Sequence, residues 1–262
     1  MELEFIKYQG AGNDFVMIDG IRQSISLDQL DEEKVAHLCH RNYGIGADGL
    51  IVLQKLDGYD FQMVYYNSDG RLSSMCGNGG RCIIDMAHRL GYVGKECTFL
   101  AADGPHEGKV GHGHIELKMK DVNMIEDLSQ TDFFLDTGSP HYVQFVDESL
   151  DEIDIVSRAR AIRYNDRFKE QGTNVNFVNI LSDGQLQIRT YERGVEDETL
   201  ACGTGITAAS LAYDYKYNPS EHVHVSAEGG KLSVKLKRVE MGWANVWLLG
   251  PAEEAFTGRV KV

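Results

Sequence analysis

The sequence predicts an α+β protein built from two related lobes. Strand-like apolar runs stand out more often than helical patterns, which indicates that sheets form most of the scaffold. The two halves of the chain also repeat one order of segments, which indicates a duplicated architecture. With 28 glycines and only 4 prolines among 262 residues, the loops are expected to use positive-φ turns in place of rigid spacers.

The spacing of apolar residues predicts the individual elements. The clearest strands are predicted at Leu50–Leu53, Phe61–Tyr66, Val175–Leu181 and Leu186–Tyr191. The clearest helices are predicted at Leu27–Arg41, Gly80–Leu90, Leu150–Ile162 and Ile206–Tyr217. Ser26 and the acidic turn behind it are expected to cap the first of these helices. No low-complexity linker marks a domain boundary.

The internal repeat is visible as an ordered set of motifs. In the first half, GIGADGLIVL leads through FQMVYYNSDG to MCGNGGRC and a helix. In the second half, GTNVNFVNIL leads through LQIRTYERG to LACGTGITAAS and a helix, and GSPHYV loosely repeats the earlier GNDFV. We infer two related lobes that face each other across a cleft, with Cys76 and Cys202 at equivalent positions.

The overall charge argues against a nucleic-acid partner. The formal net charge is −14, with 40 acidic and 26 basic residues, whereas binding to a phosphate backbone needs clustered Lys and Arg. The N-terminal segment lacks the basic and apolar regions of a signal peptide, and no apolar stretch approaches the length of a membrane span. We therefore expect a cytoplasmic protein with neither a nucleic-acid nor a membrane partner.

The five cysteines are best considered one at a time. Their number is odd and no C-x-x-C occurs, so neither a complete set of disulfides nor a zinc ribbon is indicated. Cys39, Cys82 and Cys97 are predicted to be packing residues, because a lone cysteine usually behaves as a small buried hydrophobe. Cys76 and Cys202 differ because each opens a helix within a C-G-x-G segment at the same place in the repeat.

A pair of thiols at helix starts can carry acid/base chemistry. The exposed N–H groups and positive dipole end of a helix favour a thiolate and can also hold a carboxylate. Two such sites facing each other could therefore hold one amino-acid carboxylate and present a sulfur to each face of its α-carbon. One thiolate would remove the α-proton while the other thiol supplies a proton, which inverts the stereocentre. Without a pyridoxal cofactor, fixed hydrogen-bond donors would stabilise the carbanion.

Two other patterns do not support a site. Gly44–Gly49 reads G-x-G-x-x-G, yet it follows a predicted helix and precedes a strand, the reverse of a dinucleotide-binding turn. His106, His112 and His114 lie among Gly and Lys without the partners and spacing of a metal site. We predict no metal and no cofactor.

The ordered motifs resemble those of the diaminopimelate epimerase family. The resemblance rests on GAGNDF, YYNSDG with MCGNGGRC, GTNVNF, and ERG with ETLACGTG, and it extends to the closing GPAEEAFTG. It implies interconversion of LL- and meso-2,6-diaminopimelate for lysine and peptidoglycan precursors, by a cofactor-free homodimer. It also implies two pseudo-symmetric lobes, each a sheet or barrel wrapped around a central helix. We place the lobes at residues 1–125, with a returning strand at about 250–262, and at residues 126–249.

The same resemblance implies roles for individual residues. Cys76 and Cys202 would be the two proton-transfer groups, with His141 beside the reacting centre and Glu192 assisting. Substrate contacts are implied for a larger set, which comprises Asn13, Asn67, Gly77, Asn78, Asn174, Glu192, Arg193, Gly203 and Thr204. From spacing alone, the three asparagines that lie in Gly-rich turns could equally serve the backbone, and Glu192 with Arg193 could be a solvated pair.

Three places depart from the family pattern. Ser139 stands where many members carry Asn in a G-N-P-H segment. Cys202 follows Glu192 by ten positions, whereas Cys76 follows Asn67 by nine, so Val195–Asp197 holds one extra residue. Gly49 stands where some members carry a substrate-contacting Gln.

Two other functions fit parts of the pattern. A proline racemase or hydroxyproline epimerase would also use two thiols, but such enzymes typically carry a D-R-S-P segment before the second cysteine, which this chain lacks. A binding protein that had kept only the fold would not need both cysteines together with Glu192 and Arg193.

Overall fold

The computed structural model describes residues 2–262. In chain order the strands are β1 (Glu2–Gly10), β2 (Asn13–Asp19), β3 (Gly49–Gln54), β4 (Phe61–Asn67), β5 (Glu96–Ala101), β6 (Gly104–Val110), β7 (Ile115–Lys118), β8 (Glu126–Asp127), β9 (Asp132–Asp136), β10 (Pro140–Phe145), β11 (Asn174–Ile180), β12 (Leu186–Glu192), β13 (Asp197–Thr199), β14 (His222–Ala227), β15 (Gly230–Arg238), β16 (Trp243–Gly250) and β17 (Glu253–Lys261). The α-helices are α1 (Gly20–Gln23), α2 (Glu32–Cys39), α3 (Gly77–Arg89), α4 (Ile155–Arg163) and α5 (Gly203–Lys216). Within residues 2–262, no helix combines the length and the apolar character that crossing a membrane requires.

The chain divides into two compact units. Unit 1 consists of the described residues up to Leu117 together with Gly250–Val262, and unit 2 consists of Lys118–Leu249. Strand β17 belongs to unit 1, where it pairs antiparallel with β1. Unit 2 is thus contiguous in sequence, whereas unit 1 is assembled from two separate segments.

Both units have the same strand topology. In unit 1, β2 runs parallel to β3, β4 is antiparallel to β3, and β5 is parallel to β4 and antiparallel to β6. In unit 2, the strands β10, β11, β12, β14 and β15 repeat each of these relations in the same order. The predicted α+β class and the predicted internal repeat are both confirmed.

One helix lies at the centre of each unit. Helix α3 follows β4 and packs against β1, β2, β3 and β6, while α5 follows β13 and packs against strands on several sides. Most residues of both helices are buried, because strands cover them on all faces and not on one stripe alone. The arrangement fits the predicted sheet wrapped around a helix.

Two predicted helices are shorter than expected. The pattern over Leu27–Arg41 predicted one helix, but residues Leu27–Gln29 form a 3-10 turn and the α-helix begins at Glu32. The Asp31 side chain accepts a hydrogen bond from the backbone N–H of Lys34 at 2.9 Å and so caps a new helix. In the same way, Leu150–Glu152 is a 3-10 turn and Asp154 caps the helix that starts at Ile155.

Candidate active site

Cys76 and Cys202 are the N-cap residues of the two central helices. Both have extended backbone conformations, with φ of −101° for Cys76 and −108° for Cys202. The carbonyl of Cys76 accepts from the N–H of Gly80 at 2.8 Å, and that of Cys202 accepts from Ile206 at 2.9 Å. The N–H groups of the first helical turns therefore have no acceptor within their own helices. Each C-G-x-G segment opens a helix, as the spacing predicted.

In unit 1, Asn13 presents an acceptor to the Cys76 thiol. The Cys76 Sγ lies 3.5 Å from Asn13 Oδ1, and Asn78 Nδ2 donates to the same oxygen at 3.4 Å. The Nδ2 of Asn13 donates to the carboxylate of Asp48. Because a carboxylate can only accept, this contact fixes the amide with its oxygen toward the sulfur.

Ion pairs hold Asp48 in place. Arg41 donates to Asp48 at 2.7 Å and to both carboxylate oxygens of Asp14 at 2.8 and 3.1 Å. Lys7 donates to Asp14 at 2.6 Å. Burial raises the pKa of Asp14, but the hydrogen bonds from Arg41 and Lys7 outweigh it and hold that pKa well below its usual range. The carboxylate that orients Asn13 is thus part of a larger charged cluster.

Arg81 is a buried cation in the helix that Cys76 opens. The side chain is fully buried and donates to Asn78 Oδ1 at 2.7 Å and to the carbonyls of Gly77 and Pro251 at 3.3 Å each. Burial lowers its pKa. Among residues 2–262, Arg81 forms no ion pair with a carboxylate. Arg81 directly follows the last glycine of CGNGG, and no pattern in the sequence pointed to a buried arginine at this position.

In unit 2, His141 lies against the helix that Cys202 opens. The imidazole is fully buried, with Nε2 at 2.9 Å from Thr204 Oγ1 and Nδ1 at 3.1 Å from Asn176 Nδ2. Burial lowers the pKa of His141 to about 3, so the ring is neutral near pH 7. The Thr204 hydroxyl in turn lies 3.4 Å from Cys202 Sγ. The structure therefore brings the predicted His141, Thr204 and Cys202 together.

The side chain of Asn174 is held by the protein. Its Nδ2 donates to Ser139 Oγ at 2.8 Å and to the carbonyl of Pro140 at 3.0 Å, and its Oδ1 accepts from the backbone N–H of Arg193 at 2.8 Å. Ser139 therefore supplies an acceptor to Asn174. Arg193 is exposed, and its guanidinium donates to the carbonyl of Gln171 at 2.9 Å.

Glu192 ends β12 in a mostly buried position. Its carboxylate accepts a hydrogen bond from Thr199 at 3.0 Å. Burial raises the pKa of Glu192, and the hydrogen bond from Thr199 opposes that rise only in part. In the turn that follows, which holds the extra residue, Glu196 has a positive φ of 59°, and its carboxylate accepts from Tyr164 at 2.7 Å.

Asn67 and Gly49 form the corresponding strand end in unit 1. Asn67 is exposed at the end of β4 and pairs with Gly49, the first residue of β3. A side chain at Gly49 would place its Cβ 2.5 Å from both the Tyr66 carbonyl and the Tyr65 ring. The local packing of β4 thus explains why glycine occupies this position.

The three remaining cysteines are buried. Cys39, Cys82 and Cys97 have exposed fractions of 2%, 0% and 6%, and burial raises the pKa of each thiol, to about 12 for Cys39 and Cys97. Within residues 2–262, no three His, Cys, Asp or Glu side chains are grouped to hold a metal ion. The segment Gly44–Gly49 follows α2 and leads into β3, which is not the order of a dinucleotide-binding turn.

The repeated unit with a cysteine at the start of its helix also appears in a known family. The family model described as diaminopimelate epimerase matches this chain twice, over residues 5–125 and 133–253. The chain belongs to the diaminopimelate epimerase family. Each match contains one of the two C-G-x-G segments, which confirms the resemblance on which the sequence prediction relied.

Relatives within the diaminopimelate epimerase family extend over nearly the whole chain. The diaminopimelate epimerase of Flavobacterium psychrophilum is 45% identical over 257 residues, which cover 97% of this chain and 98% of that protein. The one from Chlorobaculum tepidum is 41% identical over 259 residues, or 96% of this chain and 98% of that protein.

Solved structures with lower sequence identity share the fold. A phenazine biosynthesis protein of the PhzF family from Bacillus anthracis has a TM-score of 0.77 at 12% identity, over 100% of both chains. A hydroxyproline epimerase from Agrobacterium vitis, solved with bound trans-4-hydroxy-L-proline, has a TM-score of 0.65 at 12% identity, over 99% of this chain and 92% of that one. At this identity the similarity supports the fold alone.

Proposed function

We propose that this protein is a cofactor-independent isomerase that interconverts LL- and meso-2,6-diaminopimelate. The observation that carries the proposal is the matched placement of Cys76 and Cys202, each the N-cap of the central helix in one of two repeated units. Membership of the diaminopimelate epimerase family supports the substrate.

The reaction exchanges one proton for another at a single carbon. One cysteine, as thiolate, removes the α-proton and becomes a thiol. The carbanion then takes a proton from the other cysteine, which becomes a thiolate. The two sulfurs must reach the α-carbon from opposite faces, so the product has the inverted configuration and the protonation states of the thiols have exchanged. The direction of reaction decides which cysteine is the base.

Backbone donors at both helix starts would stabilise the reacting carboxylate. Gly77 with Asn78, and Gly203 with Thr204, supply the first-turn N–H groups, where a carboxylate is favoured by the helix dipole. As the α-proton leaves, negative charge moves onto that carboxylate, and fixed donors bind it more strongly than they bind the ground state. No pyridoxal group is needed if these donors provide the stabilisation.

Other polar groups would recognise the amino-acid ends of the substrate. We assign contacts with the substrate's ammonium and carboxylate groups to Asn67, Glu192 and Arg193. Asn13 and Asn174 would act through the groups that they orient, since protein partners already occupy most of their hydrogen-bonding capacity. His141 would act beside the reacting centre through Thr204.

The family implies a cellular setting for the reaction. We propose that the protein works in the cytoplasm as a homodimer and supplies meso-diaminopimelate for lysine and peptidoglycan precursors. Light scattering coupled to size-exclusion chromatography tests the dimer, and an elution mass of one chain at micromolar concentration would contradict it.

Exchange of the α-hydrogen tests the reaction itself. Reduced protein is incubated with LL-diaminopimelate in deuterated water, in parallel with L-proline, and the α-protons are followed by NMR. We expect exchange and conversion to the meso form with diaminopimelate and neither with proline. Deuterium exchange at the α-carbon of proline, without exchange in diaminopimelate, would overturn the proposed substrate.

Single cysteine variants test the two-thiol mechanism. We expect Cys76→Ser and Cys202→Ser each to abolish net epimerisation, while Cys97→Ser, at a packing position, retains turnover. Near-normal activity in either catalytic variant would refute the mechanism. Oxidation is expected to inactivate the wild-type enzyme, and a thiol reductant is expected to restore it.

A further inference from the structure

The hydrogen bonds around Asn176 leave one possible orientation for its amide. The backbone carbonyl of Tyr142 lies 2.8 Å from one amide atom, and because a carbonyl only accepts, that atom is Nδ2. The other amide atom, Oδ1, accepts from the hydroxyl of Thr190 at 3.0 Å. Asn176 and Thr190 are 0% and 2% exposed, so water does not compete for these contacts.

The orientation of Asn176 decides which nitrogen of His141 carries the proton. The second hydrogen of Asn176 Nδ2 points to His141 Nδ1 at 3.1 Å, so Nδ1 must be the unprotonated acceptor. The ring is neutral, so its single proton lies on Nε2. That N–H donates to Thr204 Oγ1 at 2.9 Å. Asn174 Nδ2, at 3.4 Å from Nε2, already directs its two hydrogens to Ser139 and Pro140.

The proton on His141 in turn directs the hydroxyl of Thr204. Because Thr204 Oγ1 accepts from Nε2, its own hydrogen must point elsewhere, and Cys202 Sγ lies 3.4 Å away. A hydroxyl that donates to sulfur stabilises the thiolate, whereas a hydroxyl that accepts would stabilise the thiol. The direction of this last hydrogen bond therefore affects how readily Cys202 acts as a base.

We propose that Asn176 and Thr190 are positioning residues that hold His141 as its Nε2–H tautomer and thereby aim the Thr204 hydroxyl at Cys202. Neither residue forms a hydrogen bond with Cys202 Sγ, and both act through His141. The catalytic meaning of this chain of hydrogen bonds rests on the proposed function, because that function makes Cys202 a proton-transfer group.

The equivalent positions of unit 1 support a functional reason for these polar residues. By strand register, His141, Asn176 and Thr190 correspond to Phe15, Ile51 and Tyr65. Phe15 and Ile51 are fully buried, and the rings of Phe15 and Tyr65 pack edge to face at 6.0 Å. The repeated unit can therefore fold with largely apolar side chains at these three positions.

The tautomer is tested directly by NMR of the substrate-free protein. In protein labelled with ¹⁵N-histidine, we expect His141 to show a protonated Nε2 and an unprotonated Nδ1, with its signals assigned by their loss in His141→Phe. We expect Asn176→Leu to produce a mixture of the two tautomers. A protonated Nδ1 in the wild type would overturn the proposal.

The effect on sulfur is tested by alkylation. Iodoacetamide labelling is followed by peptide-resolved mass spectrometry across a range of pH, with the Cys76 peptide as the reference within the same sample. We expect Asn176→Leu to lower the rate at Cys202 about tenfold, the size of losing one hydrogen bond to a charged group, and to leave Cys76 unchanged. An unchanged rate at Cys202 despite an altered tautomer would overturn the proposal.

A second pair of variants keeps the test valid if Asn176→Leu folds poorly. Thr190→Val keeps the side-chain shape and removes the hydroxyl, while Thr190→Ser keeps the hydroxyl. We expect Thr190→Val to slow Cys202 alkylation and lower kcat severalfold with little change in KM, and we expect Thr190→Ser to restore both. Equal behaviour of the two variants would refute a role for the hydroxyl. Because tautomer and alkylation are measured without substrate, these results stand apart from any failure to epimerise diaminopimelate.

Discussion

The two units differ in the hydrogen-bonding group that each places next to its cysteine sulfur. In unit 1, Asp48 orients Asn13 so that an amide oxygen, an acceptor, faces the Cys76 thiol. In unit 2, the contacts of His141 aim a hydroxyl, a donor, at Cys202. One duplicated architecture thus supports two opposite hydrogen-bond directions at sulfur. This difference suits an exchange that needs one acid and one base at any moment.

Among variants that keep both cysteines, the largest expected effect comes from placing unit 1 residues at the equivalent positions of unit 2. The double variant His141→Phe and Asn176→Ile replaces the polar pair with the residues found at the equivalent positions, Phe15 and Ile51. We expect kcat to fall about a thousandfold, within the range of general acid–base contributions, while circular dichroism shows that the fold is retained. A variant with wild-type turnover would show that the polar set serves only packing.

A smaller effect is expected from replacing the second glycine of each C-G-x-G segment with alanine. A Cβ at Gly205 would lie 2.4 Å from Asn176 Oδ1, whereas at Gly79 it would lie 2.9 Å from the flexible end of Ile51. We expect Gly205→Ala to lower the unfolding free energy by about 2–3 kcal/mol and to slow turnover, since the polar network must move.

Gly79→Ala is the matched control, with an expected cost of about 1 kcal/mol because a side-chain methyl can rotate away. Urea unfolding and steady-state kinetics measure both variants. Equal costs at the two glycines would mean that the packing around the helices does not differ between units.

The Cys76 side of the comparison is tested at Asp48. In Asp48→Asn, the Asn13 amide is no longer forced to direct Nδ2 away from the sulfur, so it can rotate and present a donor. We expect Cys76 alkylation to rise about fivefold to tenfold, opposite in sign to the effect of Asn176→Leu on Cys202. Peptide-resolved labelling measures it, and a fall at Cys76 would contradict the assigned orientation.

A last expected effect, on stability and not on turnover, is a pH slope that belongs to unit 2. The pKa of His141 is lowered to about 3, whereas an unfolded histidine has a pKa near 6.5. Between those values the unfolded chain binds a proton that the folded chain does not, so stability falls as pH falls. The slope from this residue is about 1.4 kcal/mol per pH unit, and it is absent above pH of roughly 6.5.

Tryptophan fluorescence can follow this slope, because both tryptophans, Trp243 and Trp247, lie in unit 2. We expect His141→Phe to flatten the dependence of the unfolding free energy on pH in that window. Asp14, whose folded pKa is depressed, contributes stability that is lost only below about pH 4, so it does not interfere between about pH 4 and pH 6.5. An unaltered slope in His141→Phe would mean that the buried imidazole accepts a proton in the folded state.

Local sequence patterns were sufficient for the duplicated topology and for the helices that begin at the two C-G-x-G segments. The C-G-x-G segments and apolar strands are contiguous in sequence, so their meaning does not depend on distant partners. The helix at Leu27–Arg41 was overestimated because Asp31, inside the apolar pattern, competes for backbone N–H groups and starts a new helix.

The polar networks could not be predicted in the same way. Asn176 contacts His141 across 35 positions of sequence, and Asp48 contacts Asn13 across 35 positions. A single asparagine in a strand, or an aspartate in a Gly-rich loop, carries no local sign of such a partner. Arg81 was missed for a related reason, since charged residues in helices usually face solvent.

The placement of β17 has a consequence for synthesis on the ribosome. Strand β1 pairs with β2 on one side and with β17 on the other, with Leu3 opposite Val260 and Gln9 opposite Glu253. All of unit 2 is translated before β17 emerges from the ribosome. Unit 2 can therefore fold while one edge of β1 in unit 1 still lacks its partner strand. Until then, β1 offers unpaired backbone groups that other nascent chains could join. The half of the molecule that is encoded first is therefore the half that is completed last.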